Sequence, residues 1–170
     1  TDTPGAEIYY NTSGENPTYP PTPDTQLYTA PIPITSTTFI RAFARKPGYG
    51  PTNVDTQTYI FPEDVATQTD QAPAWAHWDT EVDLSISKGP SYQVDFLEGL
   101  ESIPTVSLVF DYNDVFGISG IYTNPYSLGE HAVSFEYFDP NTENDFQINA
   151  GLKIHGGISR SINDPKHGLR

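Results

Sequence analysis

The chain has 170 residues, room for one ordinary domain or two small ones, and its 22 acidic against 8 basic residues give a formal net charge of -14. So acidic a chain has no electrostatic reason to bind nucleic acid or an anionic membrane, and it suits solubility or cation binding at particular loops. It has no cysteine, which excludes disulfides, thiolate zinc sites and cysteine nucleophiles together, and no stretch approaches the roughly 18 apolar residues of a membrane-spanning helix.

Sixteen Pro and 13 Gly call for many turns and few long helices, while 11 Tyr and 9 Phe suit small pleated units. The chain also lacks Met and a leader pattern, so it is expected to be a processed or excised piece. A secreted protein without disulfides points to bacteria, and the sequon Asn11-Thr12-Ser13 then carries little weight.

In chain order, "AEIYY" (6–10) reads as a strand, followed by a turn-rich excursion to Gln26 and a short, proline-broken edge strand over 27–34. Residues 36–50 alternate, with Phe39, Arg41, Phe43 and Arg45 on one face and Ile40, Ala42 and Ala44 on the other, and end in a Pro-Gly turn. A strand over 54–61 closes this unit. Pro62, Glu63 and Asp64 can open one helical turn. The stretch around Trp75, His77 and Trp78 reads as an ordered strap, and a short helix is expected over about 92–101. From Pro104 the pattern is β again. A strand over 104–111 is followed by a long loop with a brief strand near 120–123. Residues 131–140 alternate Val133, Phe135 and Tyr137 against Ser134, Glu136 and Phe138. The last strand, 145–157, places Phe146, Ile148, Ala150, Leu152 and Ile154 on one side.

Residues 1–61, through "TPGAEIYYNTSGENPT", "QLYTAPIPITSTTFIRAFARKPGYG" and "TYIF", resemble the chitobiase/β-hexosaminidase C-terminal type of Ig-like module. The resemblance implies a small β-sandwich, with one further strand before "TPGA" that here is missing. Residues 104–170, through "SIPTVSLVFDYNDVFGISGIYTNP", "AVSFEYFDP" and "FQINAGLKIHGGISRSINDPKHGLR", resemble the start of CotH-type proteins, the spore-coat-kinase-like family. That resemblance implies a chain broken off at Arg170 before the family's metal-binding and catalytic carboxylates. His155-Gly156-Gly157 and Gly168 depart from the family's pattern.

The expected organisation is therefore all-β: a small Ig-like β-sandwich (1–61), an ordered strap with little helix (62–103) and a second antiparallel β unit (104–170). Three sets of residues could carry chemistry. Gly156, Gly157, Arg160 and Lys166 could present amides and cations to a phosphate, or form only a sheet-corner turn. Asp111, Asn113 and Asp114 in one loop, and Asp139, Asn141 and Asp145 in another, have the oxygen chemistry of Ca2+ ligands but equally that of self-bonded turns. Trp75, Trp78, Tyr10 and Tyr28 could stack on sugar rings, or fasten the strap over the seam between the units. The four His residues show no metal spacing, and no nucleophile motif is present.

The reading that follows is a non-catalytic structural or adhesive piece of a large secreted or cell-surface bacterial protein, assembling through an open sheet edge with neighbouring copies. The alternatives are the N-lobe of a CotH-type kinase and a polysaccharide-binding accessory.

Overall fold

The computed structural model describes residues 1–69, 73–76, 82–161 and 167–170. Four strands form the first sheet: β1 (Glu7–Asn11), β2 (Gln26–Leu27), β3 (Thr38–Arg45) and β4 (Asp55–Tyr59). Their order is β2-β1-β3-β4, and every neighbouring pair is antiparallel. The alternation in β3 sets the register: Tyr9 lies opposite Phe43, Asn11 opposite Arg41, and Arg41 opposite Thr56. One face therefore carries Tyr9, Asn11, Arg41, Phe43 and Thr56, all buried.

Among the described residues three short helices follow. In α1 (Pro62–Val65) proline takes the first position, where its missing N–H is no loss, and Glu63 and Asp64 suit the positive end of the helix. Asp64 also reaches back to accept the Thr37 N–H at 2.5 Å. In α2 (Leu84–Ser87) Asp83 caps the first turn, and the buried Ser87 hydroxyl donates to the Ala66 carbonyl at 2.6 Å. The longest, α3 (Gln93–Ser102), occupies the segment where the spacing predicts it.

The second sheet is β5 (Thr105–Phe110), β6 (His131–Phe138) and β7 (Phe146–Leu152), antiparallel in that order. Two expectations fail between β5 and β6. The segment read as loop opens with α4 (Tyr112–Phe116), which Asp111 caps by accepting the Asn113 N–H, and residues 120–123 form turns and no strand. These turns bury Ile121 and Tyr122, which join Val115, Val133, Leu152 and Ile154 in a core on one end of the sheet's outer face. The final strand also breaks in two. After Leu152 the chain pairs β8 (Ile154–His155) with β9 (Gly168–Leu169), and Lys153 exchanges backbone bonds with Arg170.

The two sheets lie face against face, and the seam between them is polar. Glu136, 1% exposed, accepts the backbone N–H of Thr58 at 2.9 Å and the Thr58 hydroxyl, which in turn accepts from Ser107 at 2.9 Å. Asn149 donates to the Val54 carbonyl at 2.9 Å, so side chains of the second sheet hold the backbone of the outer strand β4 at both ends. Gly14 closes the seam elsewhere. Its φ is +90°, and a Cβ there would meet the Phe110 carbonyl oxygen at 2.9 Å. The small all-β, sandwich-like fold is thus built of the sheet of the first 61 residues laid on the sheet that follows the helices.

Two predictions follow from these contacts. Losing the two charge-assisted bonds of Glu136 costs about 3 kcal/mol in Glu136→Ala and roughly half of that in Glu136→Gln, read as urea midpoints; a change within error for both would show that the seam does not hold the sheets. The second concerns Glu130, which bonds Lys153 at 2.8 Å and is held below the ordinary carboxylate value by that hydrogen bond and charge. A carboxylate depressed in the folded state stabilises above its unfolded value, about 4.3 for Glu, and loses that contribution as pH falls through the folded value. Melting profiles at low salt should show wild type slightly more stable than Lys153→Gln at pH 6, with the gap closing below about pH 4.

Candidate functional site

Two loops rich in Asp and Asn border the second sheet. Asp111 Oδ1 is occupied by the Asn113 N–H, and Asp114 Oδ1 lies 3.0 Å from His131 Nδ1. In the other loop Asp139 Oδ1 accepts the Asn141 N–H at 3.0 Å, Asp145 Oδ1 accepts the Asp139 N–H at 2.8 Å, and Asn141 Nδ2 donates to the Ser102 carbonyl at 3.0 Å. Such side-chain bonds to neighbouring backbone are what Asp and Asn supply in turns. One loop follows β5 and the other follows the antiparallel β6, so they sit at opposite ends of the sheet. Among the described residues no three His, Asp or Glu side chains converge as a metal would require.

Gly156 and Gly157 open the turn after β8. Gly156 has φ +126°, and a Cβ there would lie 2.3 Å from Ser159 Oγ, so the turn requires glycine. Arg160 belongs to the same turn, with its guanidinium 5.2 Å from the Tyr126 ring and its Nε buried without a partner. His167 Nδ1 is 2.8 Å from the Ser159 carbonyl, and its ring packs on Tyr122. Lys166 lies outside the described residues, so the four phosphate candidates are brought together only in part.

The aromatic set is split. Tyr10 points from the face of the first sheet opposite Tyr9 and donates to Gln26 Oε1 at 2.9 Å, and Tyr28 follows β2 across from Ile8. Trp75, in a 3-10 turn (Ala74–Ala76), packs edge-on against Phe116 at 6.2 Å beside the core of the second unit. Trp78 and His77 lie outside the described residues. Asn11 of the sequon is buried in the seam, leaving no room for a glycan there.

Three features were not singled out from sequence. The first is a row of buried polar side chains across β1, β3 and β4: Asn11, Arg41 and Thr56. Arg41 donates to the Gly14 carbonyl at 2.6 Å and its Nε has no partner; burial pulls its pKa down, with Asp111 and Asp114 opposing. The second is a cleft of about 270 Å³ where β4, α3 and β6 end, with Ile60, Leu100, Ile103 and Phe138 beside Glu101, Asp139 and Asp145. The third is the uncovered end of the second sheet's outer face. There Val106, Phe146 and Ile148 are 51%, 48% and 51% exposed, and Phe146 stacks on Phe135 and Tyr137 at 5.8 and 5.6 Å. The alternation in the last strand puts Phe146 and Ile148 on one side but carries no signal that α4 covers only half of that face.

Comparison with known families matches residues 1–59 to the family described as Fn3 associated. An Ig-like or fibronectin-III-associated type of module is thereby supported for that third of the chain, and the match fits a non-catalytic accessory domain within a larger protein. The resemblance of residues 104–170 to CotH-type proteins finds no support there. No curated protein and no solved structure matches the chain. Among the described residues no helix is long and apolar enough to cross a membrane.

Proposed function

We propose that the chain is a non-catalytic structural part of a large secreted or cell-surface bacterial protein, and that it assembles with other chains through its second sheet. The observation that carries this reading is the uneven treatment of the sheets' surfaces. The outer strand β4 is held by Glu136 and Asn149, whereas the second sheet leaves stacked aromatic rings in water beside an outer strand, β7. Exposed apolar surface of this kind, on a chain otherwise rich in acid, marks an interaction face. The match of residues 1–59 to an accessory module supports the same role.

Mass measurement at micromolar concentration tests it. Particles heavier than the 18.8 kDa chain are expected, with Phe146→Ser/Ile148→Ser shifting them at least tenfold toward the single chain at equal concentration. A strict monomer overturns the assembly.

A second reading, polysaccharide binding, draws on Tyr10 and Tyr28 on the first sheet, with Tyr28 43% exposed. It predicts retention on chitin or another insoluble polysaccharide that Tyr28→Ala weakens; no retention on any of them overturns it.

A further inference from the structure

We propose that two copies of the chain join edge to edge through β7, each copy's strand antiparallel to the other's, with Asn149 facing Asn149 of the second copy. The inference rests on the assembly reading above and names its surface, partner and register.

The first argument is the edge itself. β7 is the outer strand of its sheet, and among the described residues no strand pairs with its free side. Its seven residues, "FQINAGL", contain no charge and no proline, and all but Leu152 are at least partly exposed. A flat, uncharged and accessible edge offers its unpaired N–H and C=O groups as a template for another strand. The competing edges are worse templates. β2 has two residues, β4 is held by the seam, and β5 is less exposed along its length and runs directly between Pro104 and the helix at Tyr112.

The second argument is self-complementarity, which a two-fold contact demands because each residue meets its own surface. Pairing about Asn149 sets Phe146 opposite Leu152, Gln147 opposite Gly151 and Ile148 opposite Ala150 of the second copy. The exposed Phe146–Ile148 surface then continues across the joint onto Ala150 of the other sheet, where the buried Leu152 closes it. The residues beyond the strand are already engaged within one copy: Asp145 accepts the Asp139 N–H and Lys153 bonds Glu130, so the pairing is confined to residues 146–152. Lys153 exchanges backbone bonds with Arg170, which ends the free edge at Leu152.

The chain's lack of cysteine makes the register testable, because any disulfide in a single-cysteine variant joins two copies. Directly opposed residues in an antiparallel pair have Cα atoms about 4.5–5.5 Å apart, within disulfide reach. Asn149→Cys should therefore convert to a covalent dimer under oxidised glutathione at micromolar concentration. Gln147→Cys, two residues away on the same face, is offset from its own copy by four residues, about 13 Å, and should remain monomeric on a non-reducing gel. Ala150→Lys supplies an independent measurement without a thiol. It places a charge on the edge and should move the native mass to that of one chain. Equal cross-linking of both cysteine variants overturns the register, as does no cross-linking of a folded Asn149→Cys. If the unmodified protein is nonetheless heavier than one chain, the assembly reading stands and only the β7 contact falls; if it is a single chain at every concentration, both fall. An Ala150→Lys variant of unchanged mass likewise overturns the β7 contact.

Discussion

The hydrogen bonds from Thr58 to Glu136 are the contact on which the arrangement of the two sheets depends. A carboxyl group with 1% of its surface exposed loses the solvation that water would give it, and it is tolerable only where protein donors replace that water. Here the donors come from the opposite sheet: the backbone N–H of an outer strand and a hydroxyl on the same residue. Separating the sheets would strand both partners at once. Asn149 adds a further cross-sheet bond at the Val54 carbonyl, while Ser134–Gln147 within the second sheet and Arg41–Gly14 within the first unit satisfy buried polar groups on each side. The seam is a network in which register matters, unlike an apolar interface that could slide.

That constraint decides which surfaces remain for other molecules. β4 would be an accessible edge if the first sheet stood alone, but Glu136 and Asn149 take its backbone groups at Thr58 and Val54. The apolar residues that would ordinarily fill a sandwich interior are displaced to the opposite face of the second sheet. At one end α4 and the turn carrying Ile121 and Tyr122 cover them. At the other end Val106, Phe146 and Ile148 stay in solvent. The polar inner face and the half-covered outer face are two consequences of one alternation, Ser134 and Glu136 against Val133, Phe135 and Tyr137.

Much of the fold was legible in the residue pattern, and the failures have physical causes. The faces of β3, β6 and β7 follow from period-2 alternation, and the helix starts at Pro62 and near Gln93 follow from first-turn chemistry and spacing. "DYNDVFG" has residue types that fit calcium ligands and self-bonded turns equally, and the structure uses Asp111 as the cap of α4 and Val115 as its buried anchor; the Asp before a short apolar turn was the available signal. Alternation also could not say which face meets which layer. Arg41 looks like a surface residue in a half-buried strand, and only its bond to the Gly14 carbonyl and the nearby charges of Asp111 and Asp114 make its burial intelligible. The candidate sites were legible as residue types but not as assemblies. Tyr10 and Trp75 belong to different units, and the two oxygen-rich loops occupy opposite ends of one sheet.

If the seam is what makes these sheets a single structure, they must open together. Backbone hydrogen exchange on the intact chain measures this residue by residue. Amides in β3 and β4 should exchange with the same opening free energy as those in β6, and the Thr58 amide should be among the most protected. A first sheet whose amides open at a distinctly lower free energy than β6, with Thr58 exchanging early, would contradict the account.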